Sequence, residues 1–347
     1  MSGGERPFPW PAGSATGIGS MPGTNPEQAA AVVLGELADL PHLAELPARG
    51  PGADVVGRTA ALLVDLPVET TATGWRLAER RGRDLGRAAG YLSADLDALE
   101  AATQGYQGPL KIPLCGPWTL AAALQLTRSV EPALSDQGAV ADLIASLAEA
   151  TAAHVAAVQR RVPGARVLLQ LDEPSLPGVL TGSVPTASGL RRVAAVDEPV
   201  AQEALRTVGT AGSVPYLVHC CARRVPFGVI AAAGATAVSC DLALLAESEH
   251  DSIGELAEAG LGLLAGAVPP LGPAKAGVGA TPGRATAETI IRLWQRIGLP
   301  AATLTGQVVV TPACGLAGAS PAQARAVLTQ CRETARLIPE LIEEGVR

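Results

Sequence analysis

In the stretch PYLVHCCARR, Pro215 to Arg224, a histidine and two cysteines close an apolar run. Along a strand, side chains alternate between faces with a period of two. His219 and Cys221 therefore point one way and Cys220 the other. A His-x-Cys pair at a strand end is a good start for zinc, which favours nitrogen and thiolate donors in a tetrahedral array. Further donors end two later apolar runs: Cys240 or Asp241 in AVSCDL, and Cys314 in VVVTPACG. The competing reading is plain burial, because free cysteine is among the most buried residue types. A redox pair fits less well, since Cys220 and Cys221 are adjacent rather than spaced C-x-x-C.

Such donors do chemistry only if the fold brings strand ends together. Short apolar runs alternate with Ala/Leu-rich helical stretches along the whole chain. The runs are SATGIGSMPG, RTAALLVDLPVE, PLKIPLCGP, ARVLLQLDEP, VPYLVHCC, ATAVSCDL, LGLLAGAV and GQVVVTPACG. Helices are expected at Asn25–Leu40, Gln137–Arg161, Glu198–Thr207, Thr286–Ile297 and Pro321–Glu344. This alternation indicates βαβ units and a parallel sheet covered on both faces. Eight units predict an α/β fold of the (β/α)8 TIM-barrel type, with an open doubly wound sheet as the other arrangement. In both, function gathers at the C-terminal strand ends. The polar residues there are Ser20, Glu69, Cys115, Asp172 with Glu173, His219 with Cys221, Cys240 with Asp241, and Cys314. ELPARGPGADVVGR reads as a long loop before the second strand. The chain, 1–347, reads as one barrel domain with a short irregular segment at 1–14.

The chain has 347 residues, enough to bury about 75% of its unfolded surface, so disulfides are not needed for stability. Against 33 acidic residues stand 26 basic ones, for a net charge of -7, and no basic run stands out. A nucleic-acid footprint is basic, so that class is disfavoured. The N-terminus MSGGERPFPWPAG lacks the apolar core of a secretory signal. The stretch AGLGLLAGAVPPLGPA is too short and too broken to span a membrane. The expectation is a soluble cytoplasmic protein whose six cysteines are thiols, metal ligands or catalytic groups.

HxC, then an acidic residue ending the next strand, then PxCGL, resembles the zinc site of the cobalamin-independent methionine synthases. TGIGSMPGT is similar to that family's IGSFPxT element, LCGPWTLA to its GPVT element and LLQLDEPSL to its IQIDEPAL. The likeness runs from Thr16 to about Leu316 and corresponds to the C-terminal catalytic barrel of a two-barrel enzyme, here as a stand-alone core.

The resemblance implies a zinc-dependent methyl transfer to the thiol of homocysteine, giving methionine. It implies zinc ligands His219, Cys221, Cys314 and, where the family has glutamate, Asp241, with Cys240 as the other choice. It implies that the Gly19–Ser20 turn binds the amino acid's carboxylate and that Asp172 holds its ammonium. Asp172 as a helix N-cap before Pro174 is the competing reading. Glu69 is the match for a second ammonium carboxylate. Trp75 and Trp118 read as core. Two departures concern the methyl donor. The family's pterin-stacking tryptophan falls near Ala123, and its seventh-strand histidine has no counterpart in LLAGAVPPLG, His250 being the nearest and reading as exposed. A methylated corrinoid protein is therefore a candidate donor beside methyltetrahydrofolate. Alternatives are alkyl transfer to another thiol such as coenzyme M, and a barrel that binds zinc or substrate without turnover.

Overall fold

The computed structural model describes residues 8–272 and 281–345. Its strands among these are β1 (Val68–Thr71), β2 (Gly74–Leu77), β3 (Gly108–Cys115), β4 (Leu124–Gln125), β5 (Ala165–Asp172), β6 (Tyr216–Cys220), β7 (Ala237–Asp241), β8 (Gly262–Val268) and β9 (Val308–Pro312). β3, β5, β6, β7, β8 and β9 pair in that order, all parallel. They are almost wholly buried, as near-continuous apolar strands between two covered faces must be.

Two segments with too few ladder bonds to count as strands complete the ring. Ala15 bridges Val310 of β9, Ser20 bridges Glu45, and His42 bridges Lys111 of β3, each in parallel. Thr16 N–H donates to Val310 O at 3.0 Å, Glu45 N–H to Gly19 O at 3.1 Å and Leu43 N–H to Lys111 O at 2.9 Å. Segments 14–20 and 41–45 are thus the first two staves of the expected (β/α)8 TIM-type barrel.

The second stave is not where the sequence pattern places it. RTAALLVDLPVE runs through a short helix, Val55–Ala60, capped by Asp54, and on into β1. β1 pairs antiparallel with β2, and β4 adds to β2 in parallel, making a small separate sheet. The true stave is PHLAE, between the expected helix ending at Leu40 and the expected loop starting at Glu45. Hydrophobic patterning misses it because two of its five residues, His42 and Glu45, are ionisable groups buried in the molecule.

The expected helices form, at Pro26–Glu36, Gln137–Arg161, Glu198–Thr210, Pro282–Arg296 and Pro321–Glu343. Their starts are chemically marked. Asn25 Oδ1 accepts Gln28 N–H at 2.9 Å, Asp136 Oδ1 accepts Ala139 N–H at 2.9 Å, and Ser320 with Gln323 forms a capping box. By length and composition Gln137–Arg161 is apolar enough to cross a bilayer, but it packs on the barrel and buries Leu143, Leu147, Val155 and Val158.

One end of the barrel is filled by Leu40, Leu168, Leu217, Ala237, Leu264 and Val309, with Trp10 packed among them. Trp10 lies in the segment expected to be irregular; it has neither helix nor strand around it, yet its indole is buried and its Nε1–H donates to Gly306 O at 3.0 Å. A Cβ on Gly262 would strike that indole, so β8 needs glycine there. Each fully buried leucine in this layer contributes ~1.5–3 kcal/mol. Toward the C-terminal strand ends the lining turns polar.

Candidate active site

His219 near the end of β6, Cys221 just past it and Cys314 just past β9 come together as the strand ends converge. Their donor atoms all lie within 4.8 Å of one another, and the two sulfurs are 3.6 Å apart. His219 is buried; the cysteines are half-buried and face the mouth. His219 Nδ1 is 3.0 Å from Ser239 Oγ on β7, which orients the ring. Two thiols this close titrate as a pair. Hydrogen bonds from Cys221 and His219 hold Cys314 well below the usual thiol range, and Cys221, which gives its proton to that bond, is driven up. A charged thiolate beside a second thiol and an imidazole is an arrangement that a divalent cation stabilises. One nitrogen and two sulfurs is the soft donor set that suits zinc.

Asp241 is not a member of this donor group among the described residues. It ends β7 near Cys314 and His219, but its Oδ1 accepts Ala243 N–H at 2.9 Å and caps the next turn. Cys240 faces away into the outer core, 1% exposed, opposite Cys220. The period-two argument separates Cys220 from the site, and the register that pairs Cys240 with it settles what that argument left open for Cys240.

The other half of the mouth is carboxylate. Asp172, the last residue of β5, is the sheet neighbour of His219. Its Oδ1 accepts Gln170 Nε2–H at 2.8 Å, so it is not an N-cap; the following helix, Leu176–Leu180, has Ser175 at its cap position. Glu173 points elsewhere and accepts the Trp118 and Thr119 N–H groups at 2.9 and 2.7 Å, holding the start of the helix Pro117–Ala123. Burial raises Asp172 above the usual carboxylate range, opposed by His219 and Lys111.

Glu45 is the residue that sequence reasoning misses. It is buried, Oε1 has no partner, and burial pushes it up to about 8. Asp172 acts on it electrostatically, and a Cβ on Gly19 would lie 3.7 Å from its carboxyl carbon. The available signal is a carboxylate closing a short apolar run, LPHLAE, as Asp172 closes VLLQLD. Glu69 occupies no such place. It sits on β1, and its Oε1 accepts Arg76 Nε–H of β2 at 3.1 Å with 41% of the side chain exposed. The stave error explains this: Glu69 was expected at a barrel strand end and lies on the hairpin.

Gly19 and Ser20 end the first stave between the two halves. Ser20 O accepts Leu316 N–H at 2.8 Å, and a Cβ on Gly315 would strike Ser20 Oγ, so this turn lies against the Cys314 loop. Trp118 is core, 1% exposed, with its Nε1–H on Ala201 O at 3.1 Å. Trp75 is also buried, but it lines a cleft of about 590 Å³ together with Ala123, Asp54, Thr70 and Thr71. His250, half-buried rather than exposed, starts the helix His250–Glu258.

A model of the family described as the cobalamin-independent synthase catalytic domain matches residues 13–337. No curated protein matches the chain. Among solved structures the fold is similar to a B12-independent methionine synthase from Shewanella sp. W3-18-1 in complex with selenomethionine, at 12% identity and a TM-score of 0.50, covering 72% of this chain and 67% of that one. It is also similar to a methyltransferase from Methanosarcina mazei, at 13% identity and a TM-score of 0.56, covering 96% and 94%.

Proposed function

The chain belongs to the cobalamin-independent synthase catalytic-domain family, and from that premise we propose that it is a zinc-dependent methyltransferase acting on the thiol of homocysteine to give methionine. The observation that carries the reading is the pairing of two unlike clusters in one mouth. His219, Cys221 and Cys314 suit zinc, and the neighbouring Asp172 and Glu45 suit an ammonium.

Zinc bound at His219, Cys221 and Cys314 would supply the Lewis acidity that lets a thiol, ordinarily protonated near neutral pH, react as its thiolate. Ser239 holds the imidazole so that one ring nitrogen is left for the metal. Asp241 is the nearest further ligand in this reading; using it requires its carboxylate to leave the Ala243 N–H. Asp172 takes the substrate ammonium through a charge-assisted hydrogen bond, and the unpartnered Glu45 Oε1 is a second acceptor for it. The Gly19–Ser20 turn, against the Cys314 loop, receives the carboxylate. Anchoring both ends of the amino acid fixes where its sulfur sits, which is how positioning lowers a bimolecular barrier. Glu69, paired with Arg76, takes no part.

An acid pair repels a sulfonate, so coenzyme M is disfavoured as the thiol. The donor reading rests on the cleft at Trp75 and Ala123. With alanine at its edge and no histidine on β8, a methylated corrinoid protein is favoured over methyltetrahydrofolate. The reaction, on small polar substrates, is placed in the cytoplasm.

The test is a matrix of thiols and donors. Zinc-loaded protein is given homocysteine or coenzyme M, with methylcobalamin or methyltetrahydrofolate, and products are identified by mass spectrometry. Methionine formed from homocysteine is expected, faster with methylcobalamin. Methylation of coenzyme M alone, or of neither thiol, contradicts the proposal.

A further inference from the structure

We propose that Lys111 is a positioning residue for the substrate's α-amino group: a buried side chain that, through Gln170, holds the Asp172 carboxylate presented to the mouth. This rests on the amino-acid-thiol reading above and adds a residue to it. Lys111 lies in the middle of β3 and is fully buried. Its Nζ donates to Ile18 O at 2.7 Å and to Gln170 Oε1 at 2.6 Å. An ammonium only donates, so it dictates the orientation of the Gln170 amide. Gln170 Nε2 must then face Ile18 O, at 2.9 Å, and Asp172 Oδ1, at 2.8 Å. Lys111, Gln170 and Asp172 form a directed chain from the barrel interior to the mouth.

The chain leaves particular atoms open. Asp172 Oδ2 takes no hydrogen bond from the described residues, and Glu45 Oε1 is buried without a partner. The other charged or titratable groups acting here are Arg58 and Asp54 on Glu45, His219 on Asp172, and His42, which burial and Lys111 keep neutral. Filling space does not require a lysine: the sheet neighbour of Lys111 is Leu168, which serves the dry layer. A buried amine is costly unless partnered, and burial lowers Lys111 to about 7; its partner Gln170 is the residue that orients Asp172.

The alternative role is bracing the first stave through Ile18 O, and the test separates the two. Zinc-loaded full-length Lys111→Met is titrated calorimetrically with homocysteine and with 4-mercaptobutanoate, which lacks only the amino group. The expected result is a ~10–100-fold loss of homocysteine affinity, the range of a lost charge-assisted bond, with 4-mercaptobutanoate changed less than ~3-fold and zinc content unchanged. Equal weakening of both ligands, or of neither, overturns the proposal. Should Lys111→Met not fold, Gln170→Leu cuts the same chain and must show the same selective loss; retained selectivity there overturns it equally. Wild-type protein that fails to prefer homocysteine over 4-mercaptobutanoate removes the amino-acid reading itself. A preference that survives in the variants removes only the role of Lys111.

Discussion

The two halves of the barrel mouth solve the problem of charge in different ways. On the side of β6 and β9, His219, Cys221 and Cys314 are soft donors, and both cysteines are partly open to the mouth. Among the described residues, the groups that hold Cys314 low are the Cys221 thiol, the His219 imidazole and the Gly315 backbone N–H. On the side of the second stave, β3 and β5, the groups are hard and buried, and Lys111 braces Asp172 through Gln170. In the proposed reading the first half is completed by a metal and the second receives an ammonium. The difference teaches that the metal half is defined by donor atoms and the substrate half by how a buried charge is braced.

The comparison is broken most severely at the metal half. Cys314→Ala should lose more than the ~100-fold in zinc affinity that removal of an outer-sphere partner costs, and methyl transfer with it. Metal analysis of the purified variant checks this; a variant that still holds stoichiometric zinc puts the metal elsewhere. Next in size is Asp172→Asn, expected to weaken homocysteine by ~10–100-fold through loss of a charge-assisted bond while leaving zinc content intact. Calorimetric titration reads the first and metal analysis the second. Parallel loss of metal and substrate would merge the two halves.

A smaller effect tests the buried charge directly. Glu45 is raised by burial to about 8, a pull that Arg58 and Lys111 oppose and Asp172 and Asp54 reinforce. A carboxyl whose folded pKa lies above its unfolded value favours the fold at low pH. That contribution is present below about 4.5 and is lost as pH rises through about 8. Glu45→Gln should therefore gain melting temperature relative to wild type between pH 5 and pH 9, by ~2 °C or more at the alkaline end, the shift that about 1 kcal/mol gives in a larger domain. A pH-independent difference would mean that Glu45 carries no burial penalty. The smallest effect belongs to Glu69→Ala. An exposed ion pair is worth ~0–1 kcal/mol, and Glu69 lies on the hairpin, so homocysteine affinity should stay within ~2-fold. A large loss would restore Glu69 to the substrate half.

The same division governs what the sequence makes legible. The metal half is written in local spacing: His219-x-Cys221 faces one way by strand periodicity, Cys314 ends another apolar run, and the structure joins them. Cys220 falls on the opposite face by that rule; the choice between Cys240 and Asp241 stays open in the sequence until the register pairs Cys240 with Cys220. The substrate half depends on a stave that defeats the rule. PHLAE is short, is held by single bridges and carries two ionisable groups inside, so the more apolar RTAALLVDLPVE takes its place in a pattern reading. In the proposed reading the error has a functional cost, because it puts Glu69 where Glu45 serves as the second carboxylate. Lys111 is hidden for a related reason. PLKIPLC reads as an apolar strand whose lysine needs no partner until Gln170 and Ile18 O are seen beside it. The named helices are legible best where a cap marks the start, as at Asn25, Asp136 and Ser320; Pro282–Arg296 starts before its expected Thr286, and Pro26–Glu36 ends before its expected Leu40.

Whether this mouth pairs a thiol-activating zinc with an amino-acid site is decided by zinc-edge X-ray absorption on the purified protein with and without homocysteine. The account predicts bound zinc in a mixed nitrogen and sulfur shell that gains a sulfur when homocysteine is added. A protein that binds no zinc, or a zinc shell unchanged by saturating homocysteine, would contradict it.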